Sequence, residues 1–468
     1  MTAGIVWAYM LAMLAVGFYL RGRIQSTSDF LLAGRKLGLV LTTATLAAVQ
    51  IDAGVVLGGA ELGAESGVWP GTWYGLGCGG GLILAGLLVA PRLRGHGAYV
   101  PLDFFAERYG ESKWVRIWAW LSNIPSLLGV FVAQIMASGN VFTLFGLSYR
   151  EGVLISGVVT MTYTVIGGMW GVAVTDLIQV GIIFAGIPLV TWVAVDRLES
   201  TPGASIGALL AADFVPEGMG TRAVFIILPF LLSISVSYDA FMRYQSARSN
   251  SVARWGCVLG GTVVLAVSLC VGLVGAIGRT LYPQLDSGAV FPHMIRSALS
   301  PAQAGLVLAA ILAAAMSTAT SLLVSLAGCF SRDLYNKVLN PDRALDELQY
   351  SKAIVRAVTV GATLIGMWIA LRAKGILYTM IIFNYPYMGS MLVPLLGGVL
   401  WKRATRQAAI TAMLLGGLVG VASFLTGIPG PFQGWFNVDL GLFAAYGLSA
   451  AGFVAVSLAT SKPTAASV

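Results

Sequence analysis

The chain has 468 residues, of which 57% are hydrophobic and only 10% charged, and its mean hydropathy is +0.84. That leaves too little charge to cover a soluble surface of this size and places the chain among polytopic membrane proteins. The net charge of +8 is distributed as membrane topology requires, so no nucleic-acid partner is expected and the lipid bilayer is the expected surroundings.

Taken in order, the apolar runs predict thirteen membrane spans: 4–20, 39–60, 69–90, 114–146, 150–167, 170–195, 223–243, 252–277, 301–330, 351–371, 377–400, 407–426 and 435–460. The first is followed, not preceded, by Arg21 and Arg23, the wrong polarity for a secretory signal, so it reads as a retained helix. With the N-terminus outside, only seven of the 28 basic residues fall outside: Arg150, Arg197, Arg222, Arg279, Arg296, Arg372 and Lys374. The clusters Arg21/Arg23/Arg35/Lys36, Arg92/Arg94, Arg243/Arg248/Arg254, Arg332/Lys337 and Lys402/Arg403/Arg406 then all lie on the cytoplasmic side, as the positive-inside rule demands. Two polar connections stand out, 198–222 outside and 331–350 inside; neither has the length of a soluble catalytic domain, and the tail after Lys462 is short and cytoplasmic.

The polar residues inside these spans are the candidates for function, because each costs a few kcal/mol to insert. Asp52 lies in a span rich in small residues that can break in mid-membrane, with no basic partner near it in sequence. Glu61 and Glu65 sit towards its outer end and read as solvated. Asp176 lies about two turns into the sixth span. Asp239 precedes Arg243 by four residues, the spacing of a helix salt bridge. In the ninth span Ser317, Thr318, Thr320 and Ser321 fall within about 1.5 helical turns. One such hydroxyl commonly bonds its own i−4 carbonyl, and small residues also permit close packing. Four in five positions, beside Ala314 and Ala315, make a cation site a rival reading, since neutral oxygens are hard ligands. The cysteines Cys78, Cys257, Cys270 and Cys329 form no CxxC pair and read as packing residues. His96 and His293 are too few for a histidine-rich metal site.

Three stretches, DFLLAGRKLG (29–38), YTVIGGMWGVAVTDLIQ (163–179) and AAAMSTATSLLVSLAGCFSRDLY (313–335), resemble in order and spacing the sodium:solute symporter family. The run MSTATSLLVS is similar to the proline branch. The runs GGAELGAESGVWPGTWYGLG (58–77) and APRLRGHGAYVPLDFF (90–105) are similar to the choline branch. The resemblance implies an all-α leucine-transporter fold, with two inverted five-helix repeats at 39–197 and 223–400 forming a core at 39–400. A first helix and loop at 1–38 precede it, and two C-terminal helices and a tail at 401–468 follow. Binding is expected at broken helices near the midplane. It also implies a sodium ion held by the carbonyls of Ala47, Gln50 and Ala314 and the hydroxyls of Ser317 and Thr318. A second sodium, found in some relatives, would use Asp176, Ser317, Thr320 and Ser321. Solute would sit among Gln50, Asp52, Gly54, Trp73, Tyr74, Ser235 and Tyr238. One departure stands out: proline symporters carry an aspartate, and choline transporters a tryptophan, where this chain has Gln50. Asp52, where relatives usually place a small residue, either meets a positively charged or zwitterionic solute or binds a proton.

The function expected is sodium-coupled import of a small organic solute bearing an amine, by alternating access, in a bacterial inner membrane, by a chain working as a monomer. The alternatives are proton coupling on the same fold, a solute-sensing receptor, which in this family carries a C-terminal kinase region, and an uncoupled channel, which would not need the oxygen cluster. An intramembrane enzyme is disfavoured because neither histidine has an acid or histidine partner within a span.

Overall fold

The computed structural model describes all residues except 97, 145, 343–350, 374, 428–432, 435–437 and 461–468. The connection expected at 331–350 therefore lies partly outside the described residues, as do Lys374 and the tail beyond Ser461.

Helices follow the apolar runs. They are α1 (Thr2–Leu20), α2 (Leu39–Gln50), α3 (Gly54–Ser66), α4 (Val68–Leu93), α5 (Pro101–Tyr109), α6 (Lys113–Thr143), α7 (Tyr149–Glu199) and α8 (Gly220–Ile234). After them come α9 (Tyr238–Ser246), α10 (Asn250–Leu281), α11 (Ser287–Ala298), α12 (Pro301–Leu339), α13 (Ser351–Ala370), α14 (Ile376–Leu400), α15 (Arg406–Gly427) and α16 (Val438–Ala459). Among the described residues ten helices are long and apolar enough to cross a membrane, or eleven with α2 and α3 taken as one span bent by 56°. The 51-residue α7 contains two of the expected spans, divided at Gly168, whose φ of +49° glycine adopts without penalty. With α14, each of the thirteen expected spans has its helical segment.

The centre of the bundle is α12. Its membrane-spanning window is wholly buried, and it packs against α7, α6, α1 and α2. Small residues let these helices approach closely. At Gly75 a Cβ would meet Ser268 Oγ at 2.2 Å, so α4 and α10 touch backbone to side chain there.

Two spans are broken. α2 ends at Gln50, Ile51 leaves the helix with ψ 77°, and α3 starts at Gly54. α8 ends at Ile234 and α9 begins after Ser237, whose Oγ accepts from the Ala240 N–H at 3.4 Å. Each break strips backbone groups of their helical partners, which is tolerated at membrane depth only where protein groups replace them. At the first break the Ala53 N–H donates to Gln134 Oε1 at 2.9 Å, and the Val55 N–H to Asp52 Oδ1 at 2.9 Å. At the second the Tyr387 hydroxyl donates to the Val236 carbonyl at 2.7 Å.

Two expectations are corrected. Residues 331–339, expected to open a polar loop, continue α12 as its last turns, wound as a π-helix, because Arg332 and Asp333 find buried partners (below). Arg243, assigned to a cytoplasmic basic cluster, is fully buried inside the bundle.

Candidate functional site

The two breaks face each other across a cavity of about 50 Å³. Gln50, at the end of α2, donates from Nε2 to Asp239 Oδ2 at 3.2 Å, linking the breaks directly. The i,i+4 salt bridge expected between Asp239 and Arg243 is replaced: Arg243 donates from Nη1 to the Asp239 backbone carbonyl at 2.9 Å, which leaves the Asp239 carboxylate on the cavity. Asp52 is 4% exposed. Besides capping α3, its Oδ2 accepts from the Tyr74 hydroxyl at 3.1 Å and Gln134 Nε2 at 3.4 Å. Among the described residues Asp52 and Asp239 are the charged groups of the lining, and no basic residue lines it. Ser126 donates to Asn384 Oδ1, both on the lining. Asn123 Oδ1 and Ser233 Oγ, also on the lining, are buried with no hydrogen-bond partner among the described residues. Buried polar atoms are rarely left so, and a polar solute would satisfy them.

Of the residues expected around solute, Gln50, Asp52, Tyr74 and Tyr238 line the cavity. Gly54 lies behind it, where a Cβ would meet the Tyr74 ring at 2.8 Å. Trp73 and Ser235 point elsewhere: the Trp73 indole donates to the Phe214 carbonyl at 3.2 Å, under the 198–222 connection, and Ser235 bonds the Leu232 carbonyl at 2.6 Å. Asn123, Ser126, Ser233, Asn384 and Tyr387 were not foreseen. Isolated polar residues on apolar helices give no sequence signal of a shared cavity. Pro229 and the serine-rich run 233–237 do signal the second break.

One side of the cavity, at Thr318, merges with a compact oxygen cluster. Ser317 Oγ lies 2.9 Å from the Ala48 carbonyl and 3.0 Å from that of Ala314. Thr318 Oγ1 lies 3.0 Å from the Val49 carbonyl, 3.2 Å from Ala314 and 3.4 Å from Ala48. The α12 hydroxyls thus meet the α2 carbonyls of Ala48 and Val49, while the Ala47 carbonyl accepts from the Ile51 N–H at 2.9 Å. Five neutral oxygens so arranged are a donor set for a small hard cation. The fully buried Asp176 lies elsewhere, with the Thr45 hydroxyl donating to its Oδ2.

Tyr238 joins this cavity to a charged network at the α5 end of the bundle. Its hydroxyl donates to Asp333 Oδ2 at 3.0 Å. Arg116 ion-pairs with Asp333 at 2.9 Å, Asp103 at 3.0 Å and Glu111 at 2.5 Å, and Arg332 pairs with Asp103 at 3.1 Å. Burial pushes the Asp103 carboxyl up, but Arg332 and Arg116 more than offset this and hold it below the usual carboxylate range. On the α3 side a second cavity of about 260 Å³ has Glu61 as its charged lining residue.

Two helices broken face to face, with an oxygen cluster tying one of them to a buried helix, are the arrangement of a solute transporter, and the similarities to known proteins agree. The model of the sodium:solute symporter family matches residues 30–416. The chain belongs to that family. It is 25% identical to the osmoregulated proline transporter OpuE of Bacillus subtilis, over 98% of this chain and 95% of the relative. It is 28% identical to the sodium/pantothenate symporter of Haemophilus influenzae, over 67% of this chain and 66% of the relative. The structure of a Na+-coupled sialic acid symporter in a substrate-bound, outward-open state superposes with a TM-score of 0.81, at 17% identity, covering 100% of this chain and 99% of that one. The fold is the leucine-transporter fold. The family is one of transporters rather than enzymes.

Proposed function

We propose that this symporter family member couples sodium entry to the import of a small organic solute bearing an amine. The observation that carries the reading is the lining of the cavity: two carboxylates, Asp52 and Asp239, no basic residue among the described residues, and Thr318 of the oxygen cluster on its wall. A protonated amine supplies the positive charge that Asp52 lacks. Gln50, Asp52, Tyr74 and Tyr238 hold it, joined by Asn123, Ser233 and Asp239. Sodium binds between α2 and α12 on the carbonyls of Ala48, Val49 and Ala314 and the hydroxyls of Ser317 and Thr318.

In this reading residues 39–197 and 223–400 are the two repeats, the N-terminus is outside, and the chain works as a monomer in a bacterial inner membrane. Sodium ties α2 to α12, and solute seated between the breaks draws the outer half closed. When the inner end opens, α2 parts from α12, so sodium leaves first and solute follows. One charge crossing 100 mV supplies about 2.3 kcal/mol, before any concentration gradient.

The test is thermal unfolding of the purified protein against sodium, with potassium at matched ionic strength. Sodium at 100 times its dissociation constant stabilises by about 2.7 kcal/mol if it binds only the folded state. No sodium-specific rise, with stabilisation at low pH that disappears in Asp52→Asn, replaces sodium by the proton as the coupling ion.

A further inference from the structure

A helix that starts at membrane depth opens with N–H groups that have no intrahelical partner, and its dipole favours an anion beside them. Each of the two breaks starts such a helix at the edge of the solute cavity, so a solute carboxylate would find its natural partners there. The chain has filled both places itself. At the first break the Ala53 N–H donates to Gln134 Oε1 at 2.9 Å, the Val55 N–H to Asp52 Oδ1 at 2.9 Å and the Val56 N–H to the Asp52 carbonyl at 3.0 Å. The Gly54 N–H bonds the same Asp52 carboxylate. At the second break the Ala240 N–H donates to Ser237 Oγ at 3.4 Å and the Phe241 N–H to the Ser237 carbonyl at 2.9 Å, and Asp239 sets its own carboxylate in the first turn of α9.

The side chains of the lining point the same way. The hydroxyls of Tyr74, Ser126, Tyr238 and Tyr387 donate to Asp52, Asn384, Asp333 and the Val236 carbonyl, and that of Thr318 meets α2 carbonyls. Ser233 Oγ has no partner among the described residues, but one neutral hydroxyl cannot replace the solvation of a carboxylate. Asn123 Oδ1, by contrast, is a buried acceptor that lacks a donor. The nearest guanidinium, Arg243, attracts Asp239 from behind. It bonds Thr45 of α2, the Asp239 backbone carbonyl of its own α9 and Ser321 of α12, and it does not line the cavity. The sodium site proposed above draws its five oxygens from the chain. A primary ammonium has three N–H donors and no acceptor, which matches Asp52, Asp239 and Asn123 Oδ1.

We propose that Asp52 stands in for a solute carboxylate, so that this protein carries amines that have no acid group: organic cations, not amino acids or other zwitterions. This rests on the amine reading above and names its substrate class. A zwitterion would bring a third carboxylate into a cavity that already holds two, and like charges so placed are strongly disfavoured.

The experiment is thermal unfolding of the purified full chain at saturating sodium, titrated with matched pairs that differ by a carboxylate: pyrrolidine and proline, ethanolamine and serine, phenethylamine and phenylalanine. Prolinamide, serinamide and phenylalaninamide keep the bulk of the amino acid without its negative charge. At least one amine is expected to stabilise the protein at a concentration about a hundredfold below its amino acid, with the amide close to the amine. Asp52→Asn, which keeps a cap on α3, should lose the amine without gaining the amino acid. Asp52→Gly, which removes the cap and frees the Val55 N–H, should shift the preference towards the amino acid. An amino acid that binds the wild type as tightly as its amine overturns the inference and leaves the amine reading standing. An amide rejected as strongly as the amino acid makes the exclusion one of size and also overturns it, as does a folded Asp52→Gly with the wild-type preference. Stabilisation by sodium with no response to any amine, amide or amino acid overturns the amine reading and this inference with it. The wild-type pairs decide even if a variant fails to fold.

Discussion

Replacing Thr318 with alanine removes one of the five oxygens that join α2 to α12. The hydroxyl contacts the Val49 carbonyl at 3.0 Å and the Ala48 carbonyl at 3.4 Å across the helix interface. A hydrogen bond of this kind contributes about 0.5–1.5 kcal/mol net, so the variant is less stable even without sodium. The informative quantity is therefore the increment that sodium adds. Losing one neutral ligand by about 1.4 kcal/mol weakens the ion about tenfold. At a sodium concentration 100 times the wild-type dissociation constant, the increment then drops from about 2.7 to about 1.4 kcal/mol. For 468 residues the unfolding entropy of globular proteins, about 2.1 cal/mol/K per residue, converts 1 kcal/mol to about 1 °C. The wild type should gain about 3 °C and the variant about half that, with its half-saturation moved about tenfold higher. Ser325→Ala is the control: it lies two turns further along α12, is equally buried, and donates only to the Ser321 carbonyl at 2.9 Å. It should keep the full increment. A Thr318→Ala protein with the wild-type increment and half-saturation would refute the placement of the ion.

Asp52→Asn is expected to keep the cap on the Val55 N–H, since an amide oxygen also accepts, but to lose the charge. Hydrogen bonds to charged groups contribute about 1.5–3 kcal/mol, so the KM for an amine solute in proteoliposomes should rise about tenfold or more, with the sodium increment retained; an unchanged KM removes Asp52 from the solute site. Arg116→Ala leaves the buried Asp333 without an ion-pair partner and Asp103 with Arg332 alone, and should destabilise the protein by about 3–5 kcal/mol, read by denaturant or thermal unfolding. Arg116→Lys should fall between, because an ammonium cannot span three carboxylates as the guanidinium does. For Asp103 the folded-state value is depressed, so its stabilisation is present above the unfolded value of about 3.9 and is lost as pH falls through the lower folded value. Unfolding temperature should therefore drop below about pH 4, and Asp103→Asn should flatten that drop; an identical pH profile would refute the pairing.

The positions of the spans were legible because bilayer thickness sets the length of an apolar run, and the break at Gly168 because two such runs abut there. Ser317 and Thr318 were legible because adjacent hydroxyls deep in an apolar span demand partners. Which α2 carbonyls these hydroxyls meet was not legible. The choice depends on where α2 stops, and that is decided by the Ile51 N–H closing on Ala47. Asp239 and Arg243 show a different failure. Their spacing satisfied a local rule for a helix pair, yet Asp239 meets Gln50 from the other break and Arg243 reaches three helices. No local pattern encodes a partner far away in the chain, and a basic residue near a span end looks the same in sequence whether it faces cytoplasm or the core. Trp73 failed similarly: an aromatic beside Tyr74 sits on the neighbouring face of α4, so its indole reaches the 198–222 connection rather than the cavity.

The departure at Gln50 becomes intelligible from the same geometry. A carboxylate there, as in the proline branch, would stand against Asp239 across the cavity, and two close carboxylates resist being ionised together. An amide instead donates to Asp239 and keeps it in place, while the second negative charge is moved to Asp52. At that position it also caps α3, through the Val55 N–H, and accepts from Tyr74 and Gln134. Some of the groups that make the cavity polar also make the breaks tolerable: Asp52 at the first, Ser237 and Tyr387 at the second. A bilayer-embedded helix can be interrupted only where such groups converge, and a cavity lined by them already holds the donors and acceptors that a polar solute requires. Breaking the two spans and building the binding site are, in this chain, one structural event.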